Sequence, residues 1–147
     1  HEEVGYNSRL DTLQAAVLLA KLPHLAGWSA ARRAHAAFYD SALAGLSEVQ
    51  TPVIVPENES IFNQYTIRAQ RRDELQAALA AKGIGSKVYY PIPLHLQPCF
   101  AYLGYQEGSF PESERAAREV LSLPIYPELT QSHLEQTVQE IRAFYVA

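Results

Sequence analysis

Between Tyr65 and Gln70 the side chains alternate, Tyr65, Ile67 and Ala69 against Thr66, Arg68 and Gln70, and from Arg72 the apolar spacing changes to that of a helix. Period-two alternation turns one set toward a core and the other away from it. From Arg72 to Lys82, Leu75, Ala78 and Leu79 share one helical face, and Gly83 supplies a residue free to adopt the left-handed conformation that stops a helix. A half-buried strand that hands directly to an amphipathic helix restricts the chain to a layered fold in which helices cover a sheet.

The rest of the chain extends that pattern. Asp11 with Gln14 three residues on is a capping arrangement, so a helix is expected from there, with Leu10, Leu13, Val17 and Ala20 on one face. After Pro23 the spacing resumes through Leu25, Trp28, Ala31, His35, Phe38, Ala42 and Leu46, which predicts one long bent helix or two in series, ended by Gly45 and Ser47. Val49 to Val55 reads as a strand that Pro52 and Pro56 confine to an edge. Lys87 to Tyr90 reads as another strand, followed by an extended, non-helical loop that Pro91 and Pro93 impose through Leu94 and His95. Pro111 with Glu112 and Glu114 opens a helix whose acidic first turn faces the positive end of its dipole. Val120 to Leu123 is a short strand, and Ser132 with Glu135 begins a last helix with Leu134, Val138, Ile141 and Tyr145 on one face. The expected organisation is one domain over 1–147, with an extended lead and helical arm over 1–47 and a sheet-and-helix part over 48–147. The fold class is α/β in the α+β sense: a long N-terminal helix plus a small, mainly antiparallel sheet with helices on one side.

Composition removes several function classes. A chain of 147 residues with 48% apolar and 19% charged residues is long enough for a real core and does not have the makeup of a disordered segment. A net charge of −4 and isolated Arg32-Arg33 and Arg71-Arg72 pairs give no basic stripe for nucleic acid. No apolar run approaches the ~18 residues of a membrane span, so a cytoplasmic setting is expected. Cys99 has no second cysteine to pair with. His24 and His35 stand eleven apart, and His95 with Cys99 is one pair without further ligands, so no metal site is expected. A chain that starts at His1 and contains no methionine is expected to be a piece of a longer one.

Six segments in order carry a resemblance: Gly5-Tyr6-Asn7-Ser8-Arg9-Leu10-Asp11, Tyr65-Thr66-Ile67-Arg68, Lys82-Gly83-Ile84, Tyr90-Pro91-Ile92-Pro93-Leu94-His95-Leu96-Gln97, Phe110-Pro111 with Glu114, and Leu121-Ser122-Leu123-Pro124-Ile125-Tyr126-Pro127. Together they resemble the C-terminal third of the DegT/DnrJ/EryC1/StrS nucleotide-sugar aminotransferases. That resemblance implies the small C-terminal domain of a fold-type-I enzyme dependent on pyridoxal 5'-phosphate. It also implies a homodimer with its active sites at the interface, and a large domain, absent here, that carries the cofactor lysine. The implied reaction moves an amino group, usually from a glutamate donor, onto a keto-sugar linked to a nucleoside diphosphate.

The resemblance also assigns residues. Asn7 matches a residue that reaches the cofactor phosphate of the neighbouring subunit, where an amide can donate without depending on pH; the plain alternative is an asparagine that makes a turn before the Asp11 cap. Arg9 pairs with a phosphate or carboxylate, or serves only the surface or the helix cap. His95, braced by prolines, matches a histidine that faces the nucleotide sugar, against the alternative of a solvated or structural hydrogen-bonding group. Tyr90 and Gln97 are further candidates for substrate binding. Alternation sends Tyr89 and Tyr90 to opposite faces, so one of them is expected in the core.

No catalytic residue is assigned. Lys21 lies on the long helix, Lys82 at a helix end and Lys87 at the start of a strand, and none follows a serine in the loop context of the family's cofactor lysine. The chain on its own is therefore expected to be inactive. Two other readings stay open: a non-catalytic binding or dimerisation module, and a sugar dehydratase of the same family with histidine in place of the cofactor lysine.

Overall fold

The computed structural model describes residues 2–7 and 9–146; Ser8, within the Gly5 to Asp11 opening, and His1 lie outside the described residues. Helix α1 spans Thr12–Lys21 and starts where the sequence places it, because the Asp11 carboxylate accepts from the Gln14 N–H at 2.8 Å. Pro23 then makes a short 3-10 turn over Leu22–His24, and α2 follows over Leu25–Leu43, so the arm is two helices in series. The two helices differ in burial. No residue of α1 is buried, whereas Ala36, Tyr39 and Leu43 line one face of α2 and are buried. Gly45, at φ +83°, turns the chain away, and the Arg142 guanidinium donates to the carbonyls of Ala42 and Ala44 that the helix end leaves unpaired.

A three-stranded antiparallel sheet, ordered β1-β2-β3, follows. The strands are β1 (Val49–Gln50), β2 (Tyr65–Ala69) and β3 (Val120–Leu123), with Val49 opposite Ala69 and Ile67 opposite Leu121. Tyr65, Ile67 and Ala69 face the core as the alternation predicts. They pack with Leu75 and Leu79 of α3 (Arg72–Ala81), the inner face of α2, and Leu134, Val138 and Ile141 of α5 (Gln131–Val146). Helix α4 (Pro111–Glu119) runs straight into β3 and ends toward the other sheet face, where Glu119 pairs with Arg68 at 3.2 Å.

Two polar arrangements lock these layers. Arg72 is 7% exposed and donates to the carbonyls of Ala117 (2.9 Å) and Val120 (2.8 Å), which ties α3 to the junction of α4 and β3. A buried guanidinium is tolerable there because it satisfies helix-end acceptors and pairs with Asp73. In the core the rings of Tyr39 and Tyr65 lie 5.0 Å apart; Tyr39 donates to Pro124 O and Tyr65 to the Asp40 carboxylate. Burial pushes the Tyr39 phenol up to about 12, and burial with the nearby Asp40 charge pushes Tyr65 up as well.

Three local expectations are overturned. The strand expected over 49–55 stops at Gln50, since Pro52 has no N–H with which to continue the ladder. Lys87 to Tyr90 forms a single bridge, Lys87 to Ser122, and no strand. Residues Leu94–Leu96, expected to be extended, make a 3-10 turn, and a second one spans Pro98–Leu103. Pro93 precedes the first of these turns and Pro98 opens the second, positions where a missing N–H costs nothing.

Candidate functional site

The site candidates fall in two places. His95, Gln97 and Tyr90 lie on the segment from 89 to 110, which leaves the sheet after the Lys87 bridge and returns at α4. Two glycines with positive φ, Gly104 (+75°) and Gly108 (+89°), close its turns. What holds the segment is a carboxylate. Glu114, on the first turn of α4, accepts from the Gly108 N–H at 2.9 Å on each oxygen and from the Phe110 N–H at 3.2 Å. His95 Nε2 sits 3.0 Å from the same carboxylate, and the two side chains are only 8% and 6% exposed. The Gly108 N–H, then the Phe110 N–H and His95, hold the Glu114 carboxyl below the usual carboxylate range, against the opposing pull of burial. Phe110 lies edge-on to the His95 ring at 4.9 Å and Tyr105 edge-on to Phe110 at the same distance.

Gln97 is buried, and its amide donates to the carbonyl of Ile92 at 3.2 Å, which folds the loop back on itself. Tyr89 and Tyr90 are 43% and 65% exposed and meet edge to face at 5.7 Å, so the expectation that one of them enters the core is overturned. Their peptide bond is cis. With no strand over 87–90 the alternation behind that expectation never applies. Tyr90, Ile92 and Leu94 instead present an apolar rim beside His95.

The second place is the lead. Asn7 and Arg9 are exposed, stand in chain that is neither helix nor strand nor turn, and have no hydrogen bond to any described residue. An exposed amide and guanidinium with no hydrogen bond to a described residue suit a phosphate. No hydrogen bond or ion pair among the described residues joins this lead to the His95 loop. The sequence did not mark Glu114 as a site residue, because its place in a helix first turn already accounted for it. Nineteen positions separate it from His95, and no local spacing reports such a contact.

The lysines remain at the surface. Lys82 Nζ is 3.4 Å from Glu140, Lys21 Nζ sits 5.8 Å over the Trp28 ring, and Lys87 is exposed beside its bridge to Ser122. None is enclosed among polar partners as a covalent carrier of a cofactor would be. Among the described residues no three His, Cys, Asp or Glu side chains gather as a metal site, and no helix is long and apolar enough to cross a membrane. A cleft of about 370 Å³ between Gly83 and α5, lined by Tyr126, His133 and Thr137, contains none of the candidate residues.

A helix-rich fold with a small three-stranded antiparallel sheet and a long N-terminal helical arm is shared with solved aminotransferases. The structure superposes on Streptomyces venezuelae DesV with a TM-score of 0.89 at 44% identity, over 98% of this chain and 39% of that one. The sequence profile of the DegT/DnrJ/EryC1/StrS aminotransferase family matches residues 1–142, and the chain belongs to that family. It is 53% identical, over 99% of its length, to a protein of Geobacillus stearothermophilus named a pleiotropic regulatory protein. It is 45% identical, over 97% of its length, to the dTDP-3-amino-3,4,6-trideoxy-alpha-D-glucose transaminase of S. venezuelae. The chain spans 40% and 38% of the length of these two relatives. The family depends on pyridoxal phosphate.

Proposed function

We propose that this chain is the small-domain part of a pyridoxal-phosphate-dependent aminotransferase acting on a nucleotide-linked keto-sugar, working as a cytoplasmic homodimer. Asn7 and Arg9 donate to the cofactor phosphate, and the loop from Tyr90 to Gln97 meets the nucleotide sugar. His95 makes the direct contact, Tyr90 packs against the sugar or base, and Gln97 holds the loop for both. When bound, the cofactor supplies the electron sink through which an amino group passes from a glutamate-type donor to the keto carbon. This chain's residues bind, orient and shield; the lysine that carries the cofactor belongs outside it.

The observation that carries this reading is the state of the lead and arm. Two anion donors with no hydrogen bond to any described residue stand shortly before a helix with no buried residue; Leu10, just ahead of it, and Leu13 and Val17 on it are 62%, 77% and 53% exposed. Donors delivered on an apolar surface suit a cavity completed by another body. A single compact module would fold such a face inward.

The test is made in the full-length protein. Asn7→Ala and Arg9→Ala are expected to weaken cofactor retention about tenfold each, the scale of one charge-assisted hydrogen bond to phosphate. The 147-residue chain alone is expected to show no transaminase activity and no shifted cofactor absorbance band that survives dialysis. Retention unchanged in both variants, or a stable band in the chain alone, would overturn the assignment. If the chain were only a dimerisation module, nucleotide sugar would bind neither the wild type nor His95→Ala.

A further inference from the structure

We infer that the cleft beside Lys87 is an anion subsite that takes the diphosphate of the nucleotide-linked substrate, with Lys87 as its cation. The inference rests on the reading of the chain as part of a nucleotide-sugar enzyme and adds where the charged middle of that substrate is held.

The cleft, of about 200 Å³, lies between the chain leading into β2, the segment around Lys87 and the chain that leaves β3. Asn63, Gln64, Lys87, Tyr89 and Ser122 line it, and no aspartate or glutamate does. It offers one cation, two amides and a phenol, all able to donate. The side chains of Asn63, Gln64, Lys87 and Tyr89 make no hydrogen bond or ion pair with any described residue. Ser122 differs, since its hydroxyl shares a hydrogen bond with that of Thr66 at 2.8 Å. Ser86 also borders the cleft, but its hydroxyl is fully buried and is not counted among the donors.

The walls are fixed without a ligand. Lys87 and Ser122 exchange backbone hydrogen bonds of 3.1 and 2.7 Å. Opposite them, the Arg32 guanidinium donates to Ile125 O at 2.8 Å and reaches Asn63 O at 3.5 Å, which ties the chain before β2 to the chain after β3. Donors held in place beforehand lose little freedom when an anion binds. Arg68 makes a useful contrast. It borders a cleft of about 170 Å³, but Glu48 and Glu119 border that cleft too, and Glu119 already pairs with it.

Chemistry and position select the anion. Four donors spread around one cleft suit a group with several oxygens, as two linked phosphoryl groups have; a single carboxylate would leave most of them unanswered. The Tyr89 ring meets the Tyr90 ring edge to face at 5.7 Å, and Tyr90 is the residue read as packing against the sugar or base. In a nucleotide sugar the diphosphate joins those two groups, so its site must adjoin theirs.

Calorimetry of the full-length protein with dTDP and UDP tests this without requiring turnover. Lys87→Ala is expected to weaken whichever of them the wild type binds about tenfold or more, by a factor that shrinks as salt is raised. Lys87→Arg, which keeps the cation, should retain most of the affinity. Lys82→Ala removes an equal charge from a lysine paired with Glu140 and should change nothing; an equal loss there would mean a general charge effect and overturn the inference. Undiminished nucleotide binding in Lys87→Ala would overturn it as well. Retention of pyridoxal phosphate, followed by its absorbance, and the KM for glutamate are expected to be unchanged in Lys87→Ala. A loss of either in place of the nucleotide would assign the cleft to the cofactor phosphate or the donor carboxylate, and the inference would fall. If the wild type binds neither nucleotide, inorganic pyrophosphate separates the two failures. Pyrophosphate binding that depends on Lys87 would keep the anion cleft and sink the nucleotide-sugar reading, whereas its absence would sink the cleft.

Discussion

Leu13, Leu18 and Leu19 of α1 are 77%, 54% and 69% exposed, whereas Ala36, Tyr39 and Leu43 of α2 are at most 1% exposed. The two helices follow each other across one proline turn, and the exposed α1 is the more apolar of the two, so composition does not decide which is buried. Partners do. The second half of α2 lies against β2 and α5, while α1 has no buried residue and contributes nothing to the core cluster. A ten-residue helix is marginal in water by itself, so α1 depends on the Asp11 cap and its continuation into α2. The contrast teaches that an apolar face shows where burial is intended, and only the rest of the structure shows whether the burying partner lies in the same chain.

The largest effect expected from that contrast comes from the packed side. Ile67 lies at the centre of the middle strand with no exposed surface. Ile67→Ala removes buried methyl groups from a site closed on every side and should cost about 2–5 kcal/mol, read as a lowered urea midpoint at constant slope. A cost below about 1 kcal/mol would mean that the sheet is loosely packed and that the division between core and arm is not real.

A smaller, pH-dependent effect extends the comparison to polar groups. Asn7 and Arg9 make no hydrogen bond to any described residue, whereas Glu114 commits its carboxylate to Gly108, Phe110 and His95. Because the folded protein holds this carboxyl below its ordinary value of 4.5, the contribution is fully present above that value. It is lost as pH falls through the lowered folded value. The stability margin of wild type over Glu114→Gln should therefore be constant near neutrality and close in acid, as followed by urea midpoints from pH 7 downward. A margin that does not change with pH would show that the carboxylate's charge plays no part in holding the loop.

Much of this is legible in the sequence, and the failures have one cause. The alternation over Tyr65 to Ala69, the Asp11 cap, the Pro111 helix start and the Gly83 stop each depend on neighbours within a few residues, and each stands where expected. A strand running on from Gln50 to Val55, and another over Lys87 to Tyr90, would each depend on distant partners that do not reach them. The family assignment is legible from the order of its motifs, since order survives without any knowledge of contacts. Glu114 reads in the sequence as a motif letter and a helix-dipole residue. Its grip on His95 spans two turns and a loop, and no spacing rule covers such a distance.

The smallest stability effect should come from α1, and its size decides how the bare face is to be understood. Leu13→Lys with Val17→Lys places two charges on a face that is already exposed, so the unfolding free energy of the dilute chain should change by no more than about 0.5 kcal/mol. Lysine is a good helix former and leaves α1 itself intact. What should change is association: sedimentation of the wild-type chain is expected to depend on concentration, and that of the double variant is not, because only the former carries an apolar face that gains from cover. A large loss of stability in the dilute variant would mean that these side chains are packed within the chain in solution, and the arm would then belong to the core.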